Sequence, residues 1–200
     1  MEELGSVYRA DLAINAGPNR FTDAVQQFEA PSALPWSRWR RRLRDDYLAW
    51  SEPRPQPGTV QLGEIIRSLR AELPRDAVVT NGAGNYTAWL HRHYRYCAPG
   101  SQLAPTSGSM GYGLPAAIAA KLLQPQRTAI AFCGDGCFLM TGQELATAVQ
   151  YELSLVVILV NNGMYGTIRM HQEKHYPGRI SGTDLVNPDF CKLAVAFGVH

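Results

Sequence analysis

Two short apolar runs, Ala129 to Cys133 (AIAFC) and Leu155 to Val160 (LVVILV), constrain this chain more than any other feature. Both are rich in β-formers and lack polar alternation, the pattern of strands covered on both faces in a parallel sheet. Each stops at a polar turn: Gly134-Asp135-Gly136 after the first and Asn161-Asn162 after the second. Thr141 to Tyr151 (TGQELATAVQY) lies between them and predicts a helix, with Thr141 as N-cap and Glu144 completing a capping box. A right-handed strand-helix-strand crossover sets the carboxyl ends of two parallel strands side by side, at the edge where open α/β sheets bind ligands. The fold class expected is therefore α/β, an open parallel sheet flanked by helices.

At that edge the residue types have a chemical meaning. Asp135 offers a carboxylate and Asn162 an amide oxygen, hard donors that suit Mg²⁺. Gly134 and Gly136 present no side chain to keep a diphosphate from backbone N–H groups. Asp-Gly and Asn-Gly are also common turn dipeptides, so either alone carries little. Placed at matching strand ends one crossover apart, the two together are far more specific.

GDG, roughly two dozen residues and NN resembles the cofactor motif of thiamine-diphosphate-dependent enzymes, in particular the acetolactate synthase and benzoylformate decarboxylase group. The segment Thr106 to Leu122 (TSGSMGYGLPAAIAAKL) is similar to the family segment that holds the aminopyrimidine ring. The resemblance is loose before Gly58 and close from Asn81 onward. It implies thiamine diphosphate and Mg²⁺ as cofactors, with Asp135, Asn162 and the backbone carbonyl of Met164 as metal ligands. It implies that the carbonyl of Gly108 accepts from the ring's amino group and that Met110 supports the ring junction. It implies a 2-oxo acid substrate, decarboxylated and then either protonated or joined to a second carbonyl compound, and a homodimer or homotetramer in the full-length protein. The family's activating glutamate comes from an N-terminal domain that nothing here resembles, so the isolated chain is expected to bind cofactor weakly and turn nothing over. His171 aligns with a tryptophan that helps acetolactate synthases select the second 2-oxo acid, and as a loop histidine it is a candidate acid or base.

The rest of the chain supplies the frame. With 46% hydrophobic and 18% charged residues, the 200 residues suit one good-sized domain and an appendage. Residues 1–57 read as the tail of a middle domain plus a helical, proline-rich linker, and residues 58–200 as the cofactor-binding domain, incomplete at its C-terminal end. Within the first part, EELGSVYRADLAINA is similar to the last strand and tail of the family's middle domain. Trp36, Trp39, Leu43, Tyr47 and Trp50 recur at helical spacing as a stripe expected to pack, while Arg38, Arg40, Arg41, Arg42 and Arg44 occupy other positions. A net charge of +2 and the neighbouring Asp45 and Asp46 argue against nucleic acid.

Ser51 to Gly58 reads as an extended linker, Thr59 to Leu73 as a helix stopped by Pro74, and Ala77 to Thr80 as the first strand. His91 and His93, two apart on a helix, face different ways, which argues against a shared metal. Gly108 to Leu123 reads as a glycine-led helix. Cys97, Cys133, Cys137 and Cys191 form no CxxC pair and read as small buried or half-buried thiols. The N-terminus lacks the apolar core of a signal peptide and no run spans a membrane, so a cytoplasmic location is expected. The alternative to a piece of an enzyme is a truncated, non-catalytic diphosphate-binding or assembly module. A generic nucleotide binder of doubly wound type is a third.

Overall fold

A computed structural model describes residues 3–199. Met1, Glu2 and His200 lie outside the described residues. The chain divides into two compact units, one ending at Asp46 and the other beginning at Tyr47.

The first unit holds α1 (Pro18–Val25) and most of α2 (Ser37–Ser51). Residues 3–15 form turns and bends, and no strand is present among the described residues there, so the expected final strand of a middle domain is not formed. The helix predicted from the tryptophan spacing is α2, but Trp36, Trp39, Leu43, Tyr47 and Trp50 are all exposed. A helical period selects a face, not a partner for it, and here the stripe is not buried.

The second unit is the α/β body. In chain order come α3 (Leu62–Glu72), β1 (Val78–Asn81), α4 (Tyr86–His93), β2 (Gln102–Leu103), α5 (Gly113–Leu123) and β3 (Ala129–Gly134). There follow α6 (Asp135–Phe138), α7 (Leu145–Gln150), β4 (Val156–Val160), α8 (Gly166–His175) and α9 (Phe190–Ala196). The strands pair in parallel in the order β2-β1-β3-β4, in register from Val78 opposite Ala129 and from Ile130 opposite Val156. Side chains alternate across β3. Ala131 and Cys133 pack with Leu114 and Ile118 of α5 and Leu145 of α7, while Phe132 packs with Ile66 of α3 and Leu90 of α4. Helices therefore cover both faces of the sheet, as the uninterrupted apolar runs imply.

Several local expectations are corrected. β3 is buried throughout, while β4, at the edge of the four-stranded sheet, packs Val157 and Leu159 on one face and Ile158 and Val160 on the other but is covered less completely, exposed at Val156 and half-buried beyond it. Asp135 and Gly136 open the short helix α6 and do not form a turn. Thr141 and Glu144 make no capping box: Gly142–Glu144 is a 3-10 turn, the Thr141 hydroxyl donates to the Gly111 carbonyl at 2.8 Å, and Glu144 accepts from the Thr147 hydroxyl at 2.7 Å. α5 starts at Gly113, leaving Gly108 and Met110 in the loop before it, and Thr80 Oγ1 anchors its first turn by donating to the Gly113 carbonyl at 2.6 Å. His171 lies within α8, not in a loop. Cys133 and Cys137 are buried, whereas Cys97 and Cys191 are exposed.

Candidate functional site

In the strand order β2-β1-β3-β4, the chain passes from β1 to one side and later returns to the other, so the sheet has its topological switch between β1 and β3. Ligands of open α/β sheets bind outside the carboxyl ends of strands at such a point. The cleft in this chain is there. It is open to solvent and is bordered by Ala83 to Tyr86 after β1, Gly134 to Cys137 at and after the end of β3, and Val160, Asn162 and Met164 to Ile168 at and after β4, with Met110 from the loop before α5.

Of the residues singled out in the sequence, Met110, Gly134, Asp135, Gly136, Asn162 and Met164 all border this one cleft. Gly108 does not. It sits in the exposed loop at φ +68°, two residues before Met110. His171 borders a separate shallow concavity with His175 and Tyr176 and stacks on His175, ring centroids 6.1 Å apart. Ile168, one turn earlier on α8, borders both. His91 and His93 engage different partners, the Asn81 side chain at 3.2 Å and the Ser51 carbonyl at 2.8 Å.

Asp135 is the most constrained group in the site, only 3% exposed. Its Oδ1 accepts the N–H of Gly136 at 2.9 Å, and its Oδ2 accepts the N–H of Gly163 at 2.8 Å and Asn187 Nδ2 at 2.7 Å. Asn187 was not visible as a site residue in the sequence, where Asn-Pro-Asp reads as a helix start. It is indeed just upstream of α9, which Asp189 caps by accepting from Cys191 and Lys192 N–H. What brings it to Asp135 is a return of the chain: Tyr165 N–H donates to the Thr183 carbonyl and Leu185 N–H to the Gly163 carbonyl, both at 2.8 Å, around an antiparallel bridge between Met164 and Asp184.

The glycines of the site have a second role. A Cβ on Gly134 would come within 2.8 Å of the Tyr86 ring, and one on Gly136 within 2.6 Å of Tyr165. The two tyrosines thus stand on the glycines and wall the cleft. The Tyr86 hydroxyl also accepts the Gly82 N–H at 3.1 Å, and burial, reinforced by Cys137, pushes its phenol well above the ordinary tyrosine range.

Residues 82–200 match the family model for the thiamine pyrophosphate enzyme C-terminal TPP binding domain. The chain belongs to the thiamine pyrophosphate enzyme family. Within it, this chain is 32% identical over 200 residues to the acetolactate synthase isozyme 2 large subunit of Escherichia coli, covering 99% of this chain and 36% of that protein. It is 38% identical over 212 residues to the acetolactate synthase large subunit of Lactococcus lactis, covering 98% of this chain and 35% of that protein. The chain therefore spans about a third of the length of these relatives. Among solved structures, a thiamine diphosphate-dependent 4-hydroxybenzoylformate decarboxylase of Rhodococcus jostii superposes with a TM-score of 0.65 at 31% identity, over 72% of this chain and 28% of that one.

The donor set can be tested against a magnesium ion. Among the described residues no three His, Cys, Asp or Glu side chains come together, so a cation here would rely on one carboxylate with neutral oxygens. Three oxygens have spare capacity. Asp135 Oδ1 accepts one hydrogen bond, Asn162 Oδ1 accepts one from Met164 N–H at 3.3 Å, and the Met164 carbonyl accepts one from Gly166 N–H at 3.0 Å. Each keeps a lone pair free, and an all-oxygen set with room for phosphate and water is what Mg²⁺ prefers. The residues fit. No described helix is long and apolar enough to cross a membrane.

Proposed function

We propose that this chain is the diphosphate-holding part of a thiamine-diphosphate-dependent 2-oxo acid decarboxylase or carboligase. The observation that supports it best is the single cleft at the sheet's switch point bordered by Met110, Asp135, Asn162 and Met164 together. Asp135, the Asn162 amide oxygen and the Met164 carbonyl hold Mg²⁺; Gly134 and Gly136 leave room for the diphosphate; Gly108 and Met110 orient the ring. The cofactor, when bound, supplies the electron sink that makes loss of carbon dioxide from a 2-oxo acid accessible, and the protein contributes binding, orientation and electrostatics. Tyr86 and Tyr165 exclude water from the floor of the cleft.

In this reading residues 1–57 are the tail of a middle domain with its linker, and residues 58–200 the cofactor domain. The activating glutamate belongs to a separate pyrimidine-binding domain, contributed within a homodimer or homotetramer. His171 lies outside the cleft, one turn beyond Ile168 on α8, and in this reading it would serve the substrate and not the diphosphate.

Calorimetry of thiamine diphosphate with and without Mg²⁺, on this chain and on Asp135→Ala, tests the assignment. Binding is expected to be strengthened by Mg²⁺ and to lose that strengthening in the variant. Equal affinity in the two proteins removes the metal site, and ADP bound as tightly as thiamine diphosphate makes the cleft a general phosphate binder.

A further inference from the structure

Asn187 has no role in the reading above, yet its side chain is tied to the centre of the site. Its Nδ2 donates both to Asp135 Oδ2 at 2.7 Å and to Asn161 Oδ1 at 2.8 Å, while its Oδ1 is buried without a hydrogen-bond partner. Turning the amide over would set its oxygen against Asp135 Oδ2, acceptor facing acceptor, so the orientation is fixed by the carboxylate. An amide that leaves its own oxygen unpartnered to keep two N–H bonds is committed to those bonds.

The consequence falls on Asp135. A carboxylate has about four lone-pair sites. Gly163 N–H and Asn187 Nδ2 fill both on Oδ2, and Gly136 N–H fills one on Oδ1. The remaining site is on Oδ1. We infer that Asn187 is a positioning residue that saturates Asp135 Oδ2, so that the carboxylate meets a divalent cation through Oδ1 alone and cannot rotate to chelate it. The inference rests on the proposed cofactor site and adds to it a residue from a segment, 183–187, that is held at the site by its pairing with 163–165. Groups that orient a metal ligand without touching the metal change affinity by about 10- to 100-fold when removed.

The test uses the 200-residue chain, with Mn²⁺ as the probe ion followed by its electron paramagnetic resonance signal in the presence of thiamine diphosphate. Asn187→Leu keeps the volume and removes the donor; Asn187→Ala carries the same expectation if leucine prevents folding, as judged by circular dichroism without cofactor. The expected result is an Mn²⁺ half-saturation raised by about tenfold or more, with metal-free binding of thiamine diphosphate changed by less than about twofold. If the variants bind Mn²⁺ as the parent does, or lose metal-dependent and metal-free binding by the same factor, Asn187 is a structural residue and the inference fails. If the parent chain itself shows no Mn²⁺-dependent binding, the cofactor assignment falls, and this inference with it. The two failures are therefore distinguished by which protein loses the signal.

Discussion

The N–H of Gly163 donates to Asp135 Oδ2 across 2.8 Å, linking the third residue beyond β4 to the residue just past the end of β3. Gly163 reaches this position at φ +67°, a left-handed conformation that a side chain makes costly. A Cβ there would meet only the Leu185 carbonyl oxygen at 3.8 Å, so space is not the obstacle. Gly163→Ala is therefore expected to destabilise the fold by about 1–2 kcal/mol through backbone conformation alone. Urea denaturation of the two proteins measures it, and a change near zero would mean that the turn relaxes without loss.

Asp135 receives three N–H donors, a pattern that only a carboxylate satisfies fully. In Asp135→Asn one oxygen becomes an NH₂ group that faces donors whichever way the amide turns. With the site buried, the variant is expected to lose about 1–3 kcal/mol of stability even without cofactor. Chemical denaturation without metal or cofactor checks this separately from ligand binding.

What could be read from the sequence and what could not divide along physical lines. Ala129 to Cys133 and Leu155 to Val160 were legible as strands because burial writes itself into composition, and their carboxyl ends fixed Asp135 and Asn162 at one sheet edge. Whether a strand lies at the centre or the edge is a matter of neighbours, so β4's exposure was not legible. The two-residue β2 is too short to have a period at all. The Thr141 and Glu144 pattern failed because a tertiary contact to Gly111 took the first side chain and a local hydrogen bond from Thr147 took the second. Asn187 was hidden for a similar reason. Its role depends on the chain pairing back on residues 163–165, and a local pattern of Asn-Pro-Asp describes only the helix that follows.

The cysteines separate into two chemical classes. Cys97 and Cys191 are exposed, while Cys133 is buried in β3 against α5 and α7 and Cys137 is buried at the border of the cleft. Iodoacetamide on the native chain is expected to modify Cys97 and Cys191 and spare the other two until the protein unfolds, as peptide mass spectrometry reads out.

Burial, with a smaller contribution from Cys137, pushes the Cys133 thiol from about 9 up to about 12. A group whose folded pKa is raised keeps its contribution below the unfolded value and loses it as pH climbs toward the folded one. Cys133 therefore costs about 1.4 kcal/mol per pH unit between those limits. Cys133→Ala is expected to flatten the decline of stability above pH 9, and an unchanged slope would assign it to other groups.

The contact between Gly136 and Tyr165 can be isolated by a double-mutant cycle. A methyl group on Gly136 would stand 2.6 Å from the Tyr165 ring, closer than carbon atoms approach, with Leu185 at 3.2 Å behind it. Gly136 lies in a short helix on the fully buried floor of the site, so the backbone has little freedom to yield and the ring must move. Gly136→Ala alone is then expected to cost about 1–3 kcal/mol. In a Tyr165→Ala background the same substitution meets open space on that side, and its cost should fall by about 1 kcal/mol or more, the coupling expected of residues in contact. If the two changes add without coupling, the tyrosine does not stand on Gly136, and the glycine is required for another reason, such as room for a ligand.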